Sequence, residues 1–328
     1  MWWDEPVSVI DRLDRWQREH PVLGFPLGVA YKFFDDSAGY LAALITYYAF
    51  VSLFPLLLLL STILSIVLSN DPALQEQIIE SALSRIPVVG RQLGDPKALS
   101  GGLSGVVIGA LVSLYGGLGV GNAAQYALNT IWTIPRNSRP NPITARVRSL
   151  VLILTAGLAV ITTTTLSTLG ALNVGWWGGW LPIAITLIAN TFIVLGVFWF
   201  GLSRRLPLRA HLPGAIIAAV LWQMLQSYGV VYVGRVVNRA SEINSVIGFV
   251  LGLLAYIYLV VVVFVLAAEV NVTRTRRLWP RALLTPFTDD VDLTDADVMA
   301  YGDQARAQRT KGYESIEVRF RRPPADGA

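Results

Sequence analysis

Five stretches of this chain, residues 37–70, 98–135, 149–203, 212–234 and 243–268, contain no Asp, Glu, Lys or Arg. A hydrocarbon core about 30 Å thick takes roughly 20 apolar helical residues to cross. Every stretch meets that length. The third is long enough for two crossings, because a single pass rarely exceeds roughly 25 residues. In its middle, Asn173 and the run Gly175-Trp176-Trp177-Gly178-Gly179-Trp180 supply a turn rich in tryptophan, which favours the membrane interface. The fold class that follows is all-α: a polytopic membrane protein with six transmembrane helices and amphipathic interfacial helices. The spans are expected near 40–68, 102–132, 150–172, 181–202, 213–234 and 245–268.

Composition agrees. Only 15% of residues are charged, where a soluble domain carries roughly 25%, and the deficit lies in the apolar runs. Cysteine is absent, which excludes disulfides, thiolate nucleophiles and Cys-ligated metals. Three regions are read. Residues 1–36 form a mixed-charge cytoplasmic segment in which Val9, Leu13 and Trp16 share one helical face. That face suits a helix lying on the membrane surface or packed on a loop. Residues 37–275 form the six-span domain. Within it, Leu74, Ile78, Ile79, Ala82, Leu83 and Ile86 recur at helical spacing in the polar link 71–97, suggesting a second interfacial helix. Residues 276–328 read as a disordered, charged cytoplasmic tail, with Asp289, Asp290, Asp292, Asp295 and Asp297 followed by a basic run.

Arginine placement sets the orientation. The head carries Arg12, Arg15, Arg18 and Lys32. The link after the second span carries Arg136, Arg139, Arg146 and Arg148, and the link after the fourth carries Arg204, Arg205 and Arg209. Arg274, Arg276, Arg277 and Arg281 follow the sixth span. The alternate links are poorer in cations or balanced by acids. Cytoplasmic loops carry the excess of Lys and Arg, so both termini are expected in the cytoplasm and the protein in the inner (plasma) membrane.

Polar groups at membrane depth are costly unless paired, and so they are the candidate sites. Asn122, Gln125 and Asn129 fall at i, i+3 and i+7 on the second span, and Gln223 and Gln226 share a face of the fifth. They line a polar cavity on one reading and hydrogen-bond helix to helix on the other. Thr162–Thr165 on the third span can bond back to their own helix. Gly105–Gly109 and Gly117–Gly121 give two close-approach motifs on the second span. Glu269, followed by Asn271, stands at the cytoplasmic end of the sixth span, where a helix dipole disfavours an acid. It calls for a cation, with Arg146, Arg148, Arg204 and Arg205 as candidates, or else it couples a proton or ion to transport.

Enzyme chemistry is not expected. His20 and His211 are far apart, and no metal-ligand spacing or phosphate loop occurs. No cofactor and no nucleic-acid partner are implied, because the basic residues sit where topology needs them.

Four segments together resemble a known family. They are Thr46-Tyr47-Tyr48-Ala49-Phe50-Val51-Ser52-Leu53-Phe54-Pro55-Leu56, Asn129-Thr130-Ile131-Trp132, Leu212-Pro213-Gly214-Ala215 with Ala218-Ala219-Val220-Leu221-Trp222, and Ala267-Ala268-Glu269-Val270-Asn271. The pattern, over roughly residues 25–275, resembles the YihY/BrkB-like inner-membrane envelope proteins. Two positions depart from it. Ala267 replaces a glycine, and Asn244-Ser245-Val246-Ile247-Gly248 stands where the family has Tyr-Gly. The resemblance implies six spans with cytoplasmic termini, and links to virulence, envelope integrity and export of lipids or other envelope components. The family's old ribonuclease label finds no catalytic residues here. Two functions are carried forward: a permease or flippase-like exporter of an envelope component, and a structural scaffold of the envelope. The partners expected are membrane lipids, an envelope lipid as substrate, and a second copy in a homo-oligomer.

Overall fold

The structure, a computed structural model, describes residues 4–67, 103–170, 181–237, 242–285 and 291–320. All regular structure in these residues is helical. Two helices precede the bundle: α1 (Asp4–Glu19) and α2 (Pro21–Asp35). Six long helices follow: α3 (Ala38–Val67), α4 (Leu103–Ile131), α5 (Pro142–Gly170), α6 (Leu181–Gly201), α7 (Leu208–Val237) and α8 (Glu242–Arg276). A last helix, α9 (Asp295–Arg306), lies in the C-terminal segment. Four segments are long and apolar enough to cross a membrane: Val107–Ile131, Ile183–Gly201, Leu208–Gln226 and Val250–Arg276. Of α3, the apolar stretch described is Ala38–Leu53. The expected interfacial helix at 71–97, the tryptophan turn at 173–180 and the side chains of Thr162–Thr165 lie outside the described residues.

Each long helix packs on the next in sequence, and α8 returns to α3 to close the ring. Small residues permit the closest approaches. On α4, a Cβ at Gly116 would lie 2.5 Å from the Ser52 Cβ, and one at Gly119 would overlap the Tyr48 ring. Both faces point at α3. Gly117 and Gly121 face α5 instead, where a Cβ at Gly121 would lie 2.6 Å from the Ser149 Cβ. The second of the two expected glycine motifs is therefore a real contact stripe, and α4 uses separate glycines for its two neighbours.

One end of the ring is capped by protein. The chain turns from α2 into α3 at Ser37, whose φ is 53°. It leaves α8 through Arg277, at φ 56°. Both extremities of the described chain gather there. Gln17 Nε2 of α1 donates to the Arg281 carbonyl at 2.5 Å, and the Leu283 amide donates to Asp14 at 2.8 Å. Leu13 and Trp16 of α1 stay about half exposed, so its polar face docks and its apolar face remains open.

The C-terminal segment is not disordered throughout, contrary to its composition. Thr294 caps α9 in a reciprocal capping box with Asp297, and Ala296, Asp297, Ala300 and Gly302 are buried. Asp297 is saturated. It pairs with Arg281 Nε and accepts from the Ala282 amide at 3.0 Å, the Thr294 amide at 2.9 Å and the Thr294 hydroxyl at 2.8 Å. Beyond α9, the amides of Arg136 and Asn137 donate to the carbonyls of Ala307 and Arg309, both at 3.1 Å. A low-hydropathy segment folds here because the bundle end supplies the partners that its charges need.

Candidate functional site

The polar trio on α4 is consumed in joining helices. The Ser149 hydroxyl of α5 donates to Asn122 Oδ1 at 2.9 Å and receives Gln125 Nε2 at 2.7 Å. Gln125 also donates to the Ala145 carbonyl at 3.0 Å. Asn129 donates to the Gln125 carbonyl at 2.7 Å, and its Oδ1 accepts from the Ser203 amide at 3.0 Å, just beyond α6. Gln125 and Asn129 are buried. The spacing i, i+3, i+7 thus builds a three-helix hydrogen-bonded seam. Gln223 and Gln226 are half-buried on α7.

Glu269 is fully buried near the end of α8. None of the four anticipated arginines pairs with it. Its cation is Lys32 of α2, with Nζ 3.8 Å away. Lys32 also pairs with Asp36 and donates to the Ile131 carbonyl at 3.2 Å. Arg204 and Arg205 are exposed at the end of α6, and Arg205 lies over the Trp199 ring at 5.6 Å. The charge count places Lys32 with the cytoplasmic head cations, and so it is not among the candidates for Glu269. The usable signal is the run Tyr31-Lys32-Phe33-Phe34-Asp35-Asp36, where an apolar face carries a lone cation four residues before an acid.

The three members Lys32, Asp36 and Glu269 sum to one negative charge, and Asp35 adds further negative potential. Neither Glu269 oxygen accepts from a nitrogen or hydroxyl donor, and the Asp36 carboxyl lies within hydrogen-bonding reach of it. Burial holds the Asp36 carboxyl above the usual carboxylate range despite the ammonium beside it. Among the described residues no group of acids and histidines is arranged to hold a metal ion.

Residues around this cluster come from three of the sequence motifs. Pro213 interrupts the start of α7, and Asn271 Oδ1 accepts the Gly214 amide beside it at 2.7 Å. Gly214 must lack a Cβ, which would strike the Ala267 carbonyl. The Leu-Pro-Gly-Ala and Ala-Ala-Glu-Val-Asn segments therefore interlock. Trp132 stacks edge-on to His211 at 5.3 Å, and its carbonyl accepts Arg276 Nη2 at 3.3 Å. His211 is buried, with neither ring nitrogen bonded.

Comparison with known proteins covers the part of the chain that holds these segments. The family model described as virulence factor BrkB matches residues 29–286. A UPF0761 membrane protein of Psychrobacter sp. (strain PRwf-1) is 25% identical over 287 residues, covering 80% of this chain and 51% of that protein. The chain thus spans about half the length of that relative. No solved structure matches.

Proposed function

The chain belongs to the virulence factor BrkB family, and from that premise we propose that it is a permease or flippase-like exporter of a lipid or other envelope component. Its six long helices cross the inner membrane with both termini in the cytoplasm. The arginine count supports this orientation, and the gathering of both chain extremities at one end of the ring supports an even number of passes. A reporter fused to the C-terminus and active only outside the cytoplasm would overturn it.

The observation that carries the transport reading is the Glu269 carboxylate, buried without a nitrogen or hydroxyl donor in a cluster of net negative charge. A buried ionisable group at a span end is costly, and protonation relieves that cost. The working cycle proposed takes up a proton at Glu269 or Asp36, loosens the hold of Lys32 and changes how α8 packs on α2. The experiment is reconstitution in liposomes with labelled candidate lipids. Glu269→Gln is expected to abolish proton-dependent transfer while the protein accumulates as wild type. Loss of the protein itself would leave Glu269 a structural ion-pair member.

One observation favours the scaffold reading. Asn122, Gln125 and Asn129 are all tied between helices, so they serve the bundle rather than a passage. Wild-type protein that moves no lipid faster than empty liposomes would leave that reading standing.

A further inference from the structure

At the capped end, a cleft of about 710 Å³ opens between the bundle and the C-terminal segment. The bundle contributes Ser203, Arg204 and Arg276, and the C-terminal segment contributes Asp303, Arg306, Arg309 and Glu314. Four guanidiniums therefore face two carboxylates. The volume is in the range of small-molecule sites, roughly 300–1,000 Å³.

Both acids are already committed. Asp303 is shared by Arg276 and Arg306, whose Nη1 lies 3.2 Å from it. Glu314 turns back on its own loop and accepts from the Thr310 amide at 2.7 Å, the Thr310 hydroxyl at 3.0 Å and the Lys311 amide at 3.1 Å. Those donors hold its carboxyl below the usual range. What remains is a cleft of net positive charge in which Arg204 and Arg309 make no direct ion pair. Arg204 has no partner among the described residues. Arg309 donates to the neutral Asn137 Oδ1 at 3.3 Å and has the Glu314 carboxylate within electrostatic reach, without a direct ion pair.

A second, independent feature points into the same space. Ser203 lines the cleft, and its hydroxyl oxygen is buried at that rim with no hydrogen-bond partner among the described residues. Its backbone is fixed by Asn129, so the end of the α4 seam positions this rim. A hydroxyl and two guanidiniums free of direct ion pairs are donors that a tetrahedral oxyanion takes, and arginine's planar fork suits phosphate.

We propose that this cleft binds a phosphate-bearing ligand, with Arg204, Arg309 and Ser203 as its donors. The site stands whether or not the protein transports. Much of its lining, residues 303–316, lies outside the segment matched by the family model, so this is a property of this chain rather than of the matched region. Two sources share the chemistry: the headgroup of an anionic phospholipid in the adjoining leaflet, and a soluble phosphate ester.

The full-length protein purified in detergent tests this in two arms. In one, calorimetry titrates glycerol 3-phosphate. In the other, native mass spectrometry counts phosphatidylglycerol retained in competition with phosphatidylcholine. Saturable binding in the first arm identifies a soluble ester, and selective retention in the second identifies a lipid headgroup. Arg204→Gln combined with Arg309→Gln is expected to weaken whichever binding is seen by roughly tenfold or more. Arg205→Gln, outside the cleft, is expected to leave it unchanged. If the double variant does not fold, Arg204→Gln alone serves, because Arg204 is exposed and holds nothing in place. No saturable binding in either arm, or equal binding by the variants and wild type, overturns the proposal.

Discussion

Two buried ion clusters lie side by side at the capped end, and they differ in how completely their charges are met. Arg281 is fully buried and pairs with Asp297 and with Asp35, the latter at 2.9 Å, while Asp297 is filled by three further donors. Glu269 is equally buried, but its nearest cation stands 3.8 Å away, no nitrogen or hydroxyl donor reaches it, and its other neighbour is the like-charged Asp36 carboxyl. A buried ion pair gains from attraction only where hydrogen bonds complete it. The first cluster largely meets that condition, with Arg281 Nη1 its one buried nitrogen left unbonded, and fastens the C-terminal segment to the bundle. The second does not, so its charge state is free to change at little cost to the fold.

Neutralising one acid from each cluster separates them most sharply. Asp297→Asn is expected to cost about 3–5 kcal/mol, since it strands Arg281 in a buried site. Release of α9 should accompany it, seen as faster proteolysis of the C-terminal segment. Glu269→Gln removes a charge that is poorly met, and unfolding titrated with a denaturing detergent is expected to shift by about 1 kcal/mol or less. Equal losses at the two positions would break the comparison.

The hydrogen-bonded seam on α4 gives a smaller and neutral reference. Gln125→Ala removes the donations to Ser149 and Ala145 but leaves Ser149 bound to Asn122. Interhelical hydrogen bonds in membranes average about 0.6 kcal/mol and reach about 1.7. A loss within that range, with transport intact, would place the seam with structure. Loss of transport at normal stability would return Gln125 to the cavity reading.

Sequence alone locates the long helices well, because charge-free runs and arginine-rich links are imposed by lipid and by insertion. The six observed helices overlap the anticipated spans, and the faces of Asn122, Gln125 and Asn129 were legible from spacing. Pairing was not. Lys32 lies more than two hundred residues from Glu269, and only the packing of α2 on α8 brings them together. The fold of residues 291–320 escaped for a related reason. Its acids look solvated until Arg281 and the bundle end supply their partners, although Thr294 and Asp297 did carry a readable helix start.

The aromatic groups around Arg281 offer the finest test. Its guanidinium lies 5.2 Å from the Tyr301 ring and 6.0 Å from the Tyr31 ring. Burial first, then the nearby Asp35 carboxylate, pushes the Tyr301 hydroxyl up to about 12 from its ordinary 10.0. The folded protein therefore holds this proton more tightly than the unfolded chain does. By linkage, its contribution is fully present below pH 10, and it is lost as the pH rises towards 12. Tyr301→Phe should flatten the decline of the thermal midpoint in that window, by a small amount because the ring is only half-buried. Tyr31, raised in the same sense by burial, should leave a residual slope. Asp35 is the one acid that acts on both clusters, so the window should report mainly the hold on α9 and leave any proton-dependent transfer proposed for Glu269 near neutral pH unchanged. A Tyr301→Phe variant that changes transfer near neutral pH would show that the two clusters act as one.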